Sequence, residues 1–217
     1  MRAVRTLLVL IVTAWALFSA AAAVLLRLWL RERYGRGGPI PVSQAGMLIT
    51  PLRSLMHPVR ESLESFGVAP GQTVLELGPG PGYFTIEAIR IVGPGGQVLS
   101  LDLQPGMLGL LRGRLAEAGV TNAQLVVADA QRLPLAGGSV DGAYLVTVLG
   151  EVPDRVAALR ELRRVLRPGG VLAFMETLTD PDYMLADTTR DLCRALGFQP
   201  RSHDRRLLGY TMTFTAP

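Results

Sequence analysis

The residues best suited to chemistry surround one glycine-rich turn, Glu76-Leu77-Gly78-Pro79-Gly80-Pro81-Gly82. Apolar residues before the turn predict a buried strand over residues 73–77, and a helix is predicted over residues 82–92. A carboxylate inside a buried strand needs a cation or hydrogen-bond donors, because burying it unpaired is costly. The glycines leave no side chains in the way of a ligand that lies against the backbone. The turn therefore predicts a binding site for a small molecule that carries an amine.

Two further acids each close a predicted strand, Asp102 after residues 98–101 and Asp129 after residues 125–128. Ligands of open parallel sheets bind beyond the carboxyl ends of the strands. Asp102 could accept hydrogen bonds from two neighbouring hydroxyls, and Asp129 from an amine. The alternative interpretation is that each aspartate caps a turn or a helix. Leu103, Met107 and Ala130 could form an apolar slot for a flat ring.

From Gly71 onward strands and helices alternate, which is typical of a parallel α/β sheet. Strands are predicted over residues 73–77, 97–101, 124–128, 140–146 and 171–176. Helices are predicted over residues 82–92, 106–118, 153–166 and 183–196, with Asp182 as the N-cap of the last. Residues 199–204 and 207–214 suit a terminal hairpin. The predicted fold is a Rossmann-like, mostly parallel sheet that ends in an antiparallel hairpin.

The charge of the chain is unevenly distributed. Its 22 basic and 18 acidic residues give a net charge of +4, but residues 1–53 alone carry +6 and the remainder −2. Nucleic-acid binding by the main domain therefore has no support from charge. One cysteine, Cys193, excludes an internal disulfide and a multi-cysteine metal site. No metal is predicted.

The N-terminal region predicts a membrane anchor. Residues 6–26 contain no charge and would span about 31 Å as a helix, close to the roughly 30 Å of a bilayer interior. Trp29 and Tyr34 suit the membrane interface, and four arginines follow the run within ten residues. The alternative is a cleaved signal peptide. The predicted organisation is an anchor over 1–34, a linker over 35–45 and a catalytic domain over 46–217.

The pattern E-x-G-x-G-x-G closely resembles motif I of class I S-adenosylmethionine (SAM) methyltransferases, and it differs from the G-x-G-x-x-G of dinucleotide enzymes. The resemblance extends over residues 71–176, through Asp102, Ala128-Asp129-Ala130, Ser139-Val140-Asp141 and Leu166-Arg167-Pro168-Gly169-Gly170. Together these motifs are similar to the group containing the ubiquinone/menaquinone C-methyltransferases and bacterial phospholipid N-methyltransferases.

The resemblance implies a seven-stranded sheet, SAM as the cofactor and the transfer of one methyl group in each turnover. The segment Pro51–Phe66 resembles the helix that covers the SAM site in this group. The predicted cofactor contacts are Glu76, Gly78, Pro79, Gly80, Gly82, Tyr83, Asp102, Leu103, Met107, Asp129, Ala130 and Thr147.

A general base is needed only if the acceptor must lose a proton, and four side chains are candidates for it. They are Glu151, Asp180, His57 and Tyr210, each with a structural role as the alternative. The chain departs from its relatives at Gly150, where they often carry histidine. A catalytic function of that histidine would be absent here.

The functional hypothesis is a membrane-anchored SAM methyltransferase with a lipid-soluble acceptor, either a quinone-type ring or a phospholipid head group. The expected location is the inner membrane, with a single span and the catalytic domain in the cytoplasm where SAM is made. The alternatives are a SAM-binding protein without turnover, a methyltransferase for soluble small molecules and, less consistent with the glycine spacing, a dinucleotide oxidoreductase.

Overall fold

A computed structural model describes residues 13–15, 18, 19, 21, 22, 25, 29, 38–49, 58–206 and 208–217. Its first continuous element is a 3-10 helix, Val42–Ile49. The helices that follow are α1 Val59–Ser65, α2 Thr85–Val92, α3 Pro105–Glu117, α4 Arg155–Val165 and α5 Ala186–Ala195, with a short 3-10 helix at Leu149–Glu151. The strands are β1 Thr73–Leu77, β2 Gln97–Asp102, β3 Ala123–Val127, β4 Val140–Val146, β5 Leu166–Thr177, β6 Gln199–Arg206 and β7 Gly209–Thr215.

The strands form one seven-stranded sheet in the order β3-β2-β1-β4-β5-β7-β6. β1 to β5 run parallel, and β7 pairs antiparallel with both β5 and β6. The predicted Rossmann-like sheet with a C-terminal antiparallel hairpin is confirmed. Strand order reverses between β1 and β4, which is where open α/β sheets bind their ligands.

Both faces of the central strands are buried, and alternate residues of each strand point to opposite sides of the sheet. Leu75 and Leu77 of β1 belong to a core cluster that includes Phe174 and Phe214. Val74 faces a second cluster, which includes Leu111 and Tyr144. Glu76 shares the face of Val74, so this acid is placed among apolar neighbours by the register of the strand.

Several predicted boundaries are wrong. The helix after the glycine turn begins at Thr85 and not at residue 82, because residues 80–84 are used by the turn. The helix predicted over 183–196 begins at Ala186 after Leu185, without a side-chain cap. Asp182 is therefore not its N-cap. Its backbone N–H donates to Asp180 Oδ1 at 2.7 Å, so it lies in a turn before the helix.

The predicted anchor falls mostly outside the described residues. Those that are described within residues 13–29 are helical and exposed. In the described part of the chain no helix has both the length and the apolar composition needed to cross a membrane. The predicted covering helix Pro51–Phe66 is described only from Pro58, with α1 beginning at Val59; His57 lies outside the described residues.

Candidate functional site

A cleft of about 320 Å³ opens at the carboxyl ends of β1, β2 and β4. All the predicted cofactor contacts except Gly82 line it: Glu76, Gly78, Pro79, Gly80, Tyr83, Asp102, Leu103, Met107, Asp129, Ala130 and Thr147. These residues come from four strand ends and the loops after them. The sheet therefore brings together side chains that lie up to 71 positions apart in sequence.

Glu76 is buried at the base of the cleft with 3% of its surface exposed. Its Oε2 accepts hydrogen bonds from Thr85 Oγ1 at 2.6 Å and from Ser100 Oγ at 3.1 Å. Burial raises the pKa of Glu76 to about 7, and the hydrogen bonds oppose that rise. A cationic partner strongly favours the ionised form of a carboxyl group that is buried in this way. An ammonium group of a ligand in the cleft would be such a partner.

The glycine turn has backbone conformations that favour glycine, with φ of 70° at Gly78, 54° at Gly80 and 86° at Gly82. Gly78 and Gly80 present bare backbone to the cleft. Gly82 does not line the cleft, so its position does not support the predicted contact with the cofactor. A Cβ on Gly82 would lie 2.3 Å from Leu111 Cδ1, so this glycine allows α3 to pack against the turn.

Asp102 connects the glycine turn to β2. Its Oδ2 accepts from the N–H of Gly80 at 3.2 Å, and its Oδ1 accepts from the N–H of Gln104 at 2.8 Å. Burial raises the pKa of Asp102, while these two backbone donors lower it. The carboxylate is thus fixed in orientation at the cleft wall, as a paired acceptor for two hydroxyls must be.

Asp129 lies beyond the end of β3 and is exposed. The backbone N–H of Gln131 donates to its Oδ1 at 2.8 Å, and the Gln131 side chain donates to both carboxylate oxygens, at 3.0 and 3.1 Å. These bonds lower the pKa of Asp129 and keep it ionised. A ligand amine that bound Asp129 would displace or share the Gln131 amide.

Thr147 follows β4 with φ of 55°, a left-handed conformation that is costly for a β-branched residue. Its N–H donates to the carbonyl of Met175 at 2.9 Å, which holds the strained residue in place. The adjoining Val148 packs against the turn, since a Cβ on Gly78 would lie 2.4 Å from Val148 Cγ2. Strain of this kind accumulates at functional sites.

The structure separates the four candidate bases. Glu151 lines the cleft. Asp180 is buried outside the cleft lining, in the loop after β5, and Tyr210 is buried in β7 with its hydroxyl 2.8 Å from Thr189 Oγ1. The prediction for His57 falls outside the described residues. Among the four, only Glu151 is described at a position from which it could touch a ligand.

The structure gives a steric reason for glycine at position 150, where relatives often carry histidine. A Cβ at this position would lie 1.9 Å from the carbonyl oxygen of Asp182. The loop after β5 therefore occupies the space that a side chain at position 150 would need, and a histidine could enter only if that loop moved.

Sequence reasoning missed several residues of the cleft wall. Gln104 donates through Nε2 to the carbonyl of Ile40 at 2.9 Å, which fixes a segment predicted as linker beside the cleft. The other unpredicted lining residues include Pro39, Ile40, Leu48, Gln131, Val152 and Pro153. Gln104 could have been predicted to line the cleft because it follows Asp102 by two residues. The sequence of residues 39–48 gave no indication that this segment contacts the cleft.

The chemical groups that line the cleft match the functional groups of SAM. An internal acid with a raised pKa suits an amine, a fixed aspartate suits vicinal hydroxyls, and bare glycine backbone suits close approach by a flat or extended ligand. In the described part of the chain no group of three or more His, Cys, Asp or Glu could hold a metal ion.

Comparison with known proteins finds similarity to methyltransferases. A family model described as a methyltransferase domain matches residues 75–174. The ubiquinone/menaquinone biosynthesis C-methyltransferase UbiE of Vibrio cholerae is 38% identical over 133 residues, which cover 59% of this chain and 51% of that protein. UbiE of Ectopseudomonas mendocina is 40% identical over 118 residues, which cover 54% and 46%. The chain thus spans about half the length of these relatives.

Solved structures share the fold at lower identity. A SAM-dependent methyltransferase from Aquifex aeolicus superposes with a TM-score of 0.78 at 20% identity, over 82% of this chain and all of that one. The [4+2]-cyclase SpnF superposes with a TM-score of 0.68 at 18% identity, over 76% of this chain and 82% of that one. The family implies SAM as the cofactor. Residues 75–174 match the methyltransferase-domain model, and the chain is similar to the ubiquinone/menaquinone biosynthesis C-methyltransferases.

Proposed function

We propose that this protein transfers a methyl group from SAM to a lipid-soluble acceptor, a quinone-type ring or a phospholipid head group. The observation that carries the proposal is the position of two acids beside the glycine turn. Glu76 is buried, and Asp102 is held in a fixed orientation by the N–H of Gly80. Both lie within residues 75–174, which match the methyltransferase-domain model. A membrane-anchored form on the cytoplasmic face of the inner membrane is part of the proposal.

The residues of the cleft would bind and orient the reactants. Glu76 would hold the amine and Asp102 the ribose hydroxyls, while Leu103, Met107 and Ala130 would contact the adenine. The sulfonium of SAM supplies an already activated methyl group, so alignment of the acceptor is the main contribution required of the protein. The acceptor would enter beside Glu151 and the loops after β4 and β5.

Two observations support a lipid-soluble acceptor. The similar UbiE proteins are named for ubiquinone and menaquinone biosynthesis. In addition, the uncharged run of residues 6–26 contains Trp15, Phe18 and Leu25, which are 72%, 73% and 65% exposed. A helix with large apolar side chains exposed in this way suits contact with a bilayer.

Two alternatives remain as outcomes of a test. The [4+2]-cyclase among the structural neighbours illustrates that this fold hosts more than one chemistry. A SAM-binding protein without turnover would bind the cofactor and transfer nothing. A methyltransferase for soluble molecules would act equally well with and without a membrane.

The test begins with binding. Thermal shifts with SAM and with its demethylated product should both be positive, while NAD should give none. Glu76→Gln should reduce the SAM shift, and Glu117→Gln, an exposed substitution on α3 outside the cleft, should not. Transfer from methyl-labelled SAM into lipid vesicles is then measured. A shift with NAD equal to that with SAM would reverse the proposal, and SAM binding without labelled product would favour the protein without turnover.

A further inference from the structure

Tyr144 is a buried residue of the cleft wall that lies directly beside Glu76. The parallel pairing of β1 with β4 makes these two residues register partners, and partners in neighbouring strands point to the same face of the sheet. Tyr144 lines the cleft and is 1% exposed. Its ring packs against that of Phe66, with the two ring centroids 5.6 Å apart. The hydroxyl group is therefore carried by a ring that is held in place between the sheet and the end of α1.

The Tyr144 hydroxyl is buried, and among the described residues it finds no hydrogen-bond partner of normal geometry. It nevertheless lies close enough to Glu76 to interact with it. Burial and the Glu76 carboxylate raise the pKa of Tyr144, so the hydroxyl keeps its proton, and the hydroxyl in turn lowers the pKa of Glu76. A buried hydroxyl that lacks a partner is costly and calls for an explanation by a function.

The hydrogen bonds of Glu76 show where a further donor could bind. Thr85 and Ser100 both donate to Oε2. A carboxylate oxygen has two lone pairs, so Oε2 is fully used, and a third donor must approach Oε1. Tyr144 presents such a donor from the neighbouring strand. The terminal torsion of glutamate is broad, so a small rotation of the carboxyl group could bring Oε1 to the hydroxyl.

We propose that Tyr144 is a positioning residue, whose hydroxyl donates to Oε1 of ionised Glu76 and so prepares this carboxylate for the amine of the cofactor. The inference rests on the proposed function and adds a residue to the amine site of the same cleft. The donor matters only when Glu76 is charged, because a hydrogen bond to the charged form of a carboxyl group favours that form. The burial of this hydroxyl is thus explained by its use once Glu76 ionises.

The loss of this hydroxyl should appear as a change in pH dependence. An ammonium group binds the ionised form of Glu76, so affinity falls as the pH drops below the Glu76 pKa of about 7. Tyr144→Phe raises that pKa and moves the decline to higher pH. The affinity should therefore be about tenfold or more below wild type at pH 6, the effect of one hydrogen bond to a charged group, and the difference should shrink by pH 8. Asp102, the charged group that also raises the pKa of Glu76, is the same in both forms.

Calorimetry at pH 6, 7 and 8 compares two ligands of the full chain. S-adenosylhomocysteine, the demethylated product, keeps the amine, and S-adenosyl-4-mercaptobutyrate is the same molecule without it. Tyr144→Phe should weaken only the first. The matched control is Tyr210→Phe, since Tyr210 is buried outside the cleft lining with its hydroxyl bonded to Thr189, and both affinities should stay unchanged. Glu76→Gln alone and combined with Tyr144→Phe should bind the product equally, because a neutral amide gives the hydroxyl no charge to stabilise.

The melting temperature without ligand separates this role from support of the fold. At pH 6 Tyr144→Phe should melt at or above the wild-type temperature, because it removes a buried hydroxyl that has no partner in the described part of the chain. Tyr210→Phe loses a satisfied bond and should melt lower. Equal weakening of both ligands, a deficit of constant size from pH 6 to 8, or a clearly lower melting temperature of Tyr144→Phe would overturn the inference. If the wild-type chain fails to bind the demethylated product, the proposed function fails first.

Discussion

At the scale of single residues, the two acids proposed to recognise the cofactor differ, since Glu76 is buried and Asp102 is held in a fixed orientation. Glu76 is surrounded by apolar packing and two hydroxyl donors, so its charge depends on what enters the cleft. Asp102 is held by two backbone N–H groups, so its geometry is fixed before any ligand arrives. These differences predict different responses to substitution and to pH.

Substitution of Asp102 by Asn should weaken SAM binding about ten- to a hundredfold, because an amide can no longer accept two hydroxyl hydrogen bonds with a full charge. Calorimetric titration measures the dissociation constant. The melting temperature should also fall, because the amide nitrogen of Asn would face one of the two backbone N–H donors and leave it unpaired; binding is therefore compared below the melting transition of both forms. An unchanged dissociation constant would remove Asp102 from the ribose site.

The SAM affinity of the wild-type chain should fall as the pH is lowered from about 7 to 6. Glu76 has a pKa of about 7 without ligand, and an ammonium partner lowers that pKa, so binding must release a proton when Glu76 starts protonated. The limiting slope is about tenfold per pH unit. Glu76→Gln should bind weakly and lose this decline, and titrations at several pH values measure both. A decline of the same size in the Gln variant would assign it to another group.

At the scale of elements, the cleft is completed by a segment outside the alternating strands and helices. The 3-10 helix Val42–Ile49 places Leu48 beside the glycine turn, and a Cβ on Gly80 would lie 3.3 Å from Leu48 Cδ1. Val42 packs against α3 at Gly106. The bond from Gln104 to Ile40 fixes the beginning of this segment to the loop after β2.

Gln104→Ala should therefore weaken SAM binding about two- to tenfold, since a net hydrogen bond contributes about 0.5–1.5 kcal/mol. The melting temperature without SAM should hardly change, because the sheet and its two core clusters do not depend on this bond. Gln124→Ala, at an exposed position of β3 outside the cleft, is the matched control. Equal dissociation constants for both variants would show that the segment does not contribute to the site.

At the scale of the whole molecule, three buried or half-buried acids have raised pKa values: Glu76 at about 7, Glu176 at about 8 and Glu151 at about 9. Each is more readily protonated in the folded chain than in the unfolded chain. Their contribution to stability is complete below about pH 4.5 and is lost as the pH rises through those values. For Glu76 the full change is about 3 kcal/mol.

The melting temperature without SAM should accordingly fall as the pH rises from about 5 to 9. Scanning calorimetry measures it, and Glu176→Gln should make the decline shallower between about pH 5 and 8, because the amide cannot ionise. Glu117→Gln should follow the wild type. A melting temperature that rises over this interval would show that these acids are paired with cations in solution.

Removal of the N-terminal region tests the proposed anchor, and the structure determines where to cut. A form that begins at Gly38 keeps Pro39 and Ile40 in the cleft wall, whereas one that begins at Val42 loses both. The Gly38 form should bind SAM like the full chain, and the Val42 form more weakly. On vesicles the Gly38 form should be slower than the full chain, because a tether raises the effective concentration at the surface.

Equal rates of the Gly38 form and the full chain on vesicles would argue against a functional anchor. Loss of residues 1–23 from the mature protein, detected by mass spectrometry, would favour the signal peptide instead. Either result leaves the prediction for SAM binding untouched, since the described cleft begins at Pro39.

The sheet, the cofactor class and most of the residues that line the cleft could be predicted from local sequence patterns. Strand signals are local, and parallel topology brings the ends of successive strands to one edge, so Glu76, Asp102, Asp129 and Thr147 could be placed together without coordinates. The terminal hairpin followed from two short segments separated by a turn. Where helices begin was harder to predict, as at Ala186, because this helix follows Leu185 and has no side-chain cap that the sequence could reveal.

Which of the candidate residues lie together depends on contacts between distant parts of the chain. Gly82 packs on Leu111, Tyr210 is bonded to Thr189, and residues 39–48 line the cleft, because these contacts join segments that are distant in sequence and have no local signature. Glu151 and Glu176 lie 25 positions apart, and they interact electrostatically only because β4 and β5 pair and bring the segments that carry them together. Burial, which sets their pKa values, is a property of the packed molecule and cannot be read from residue types.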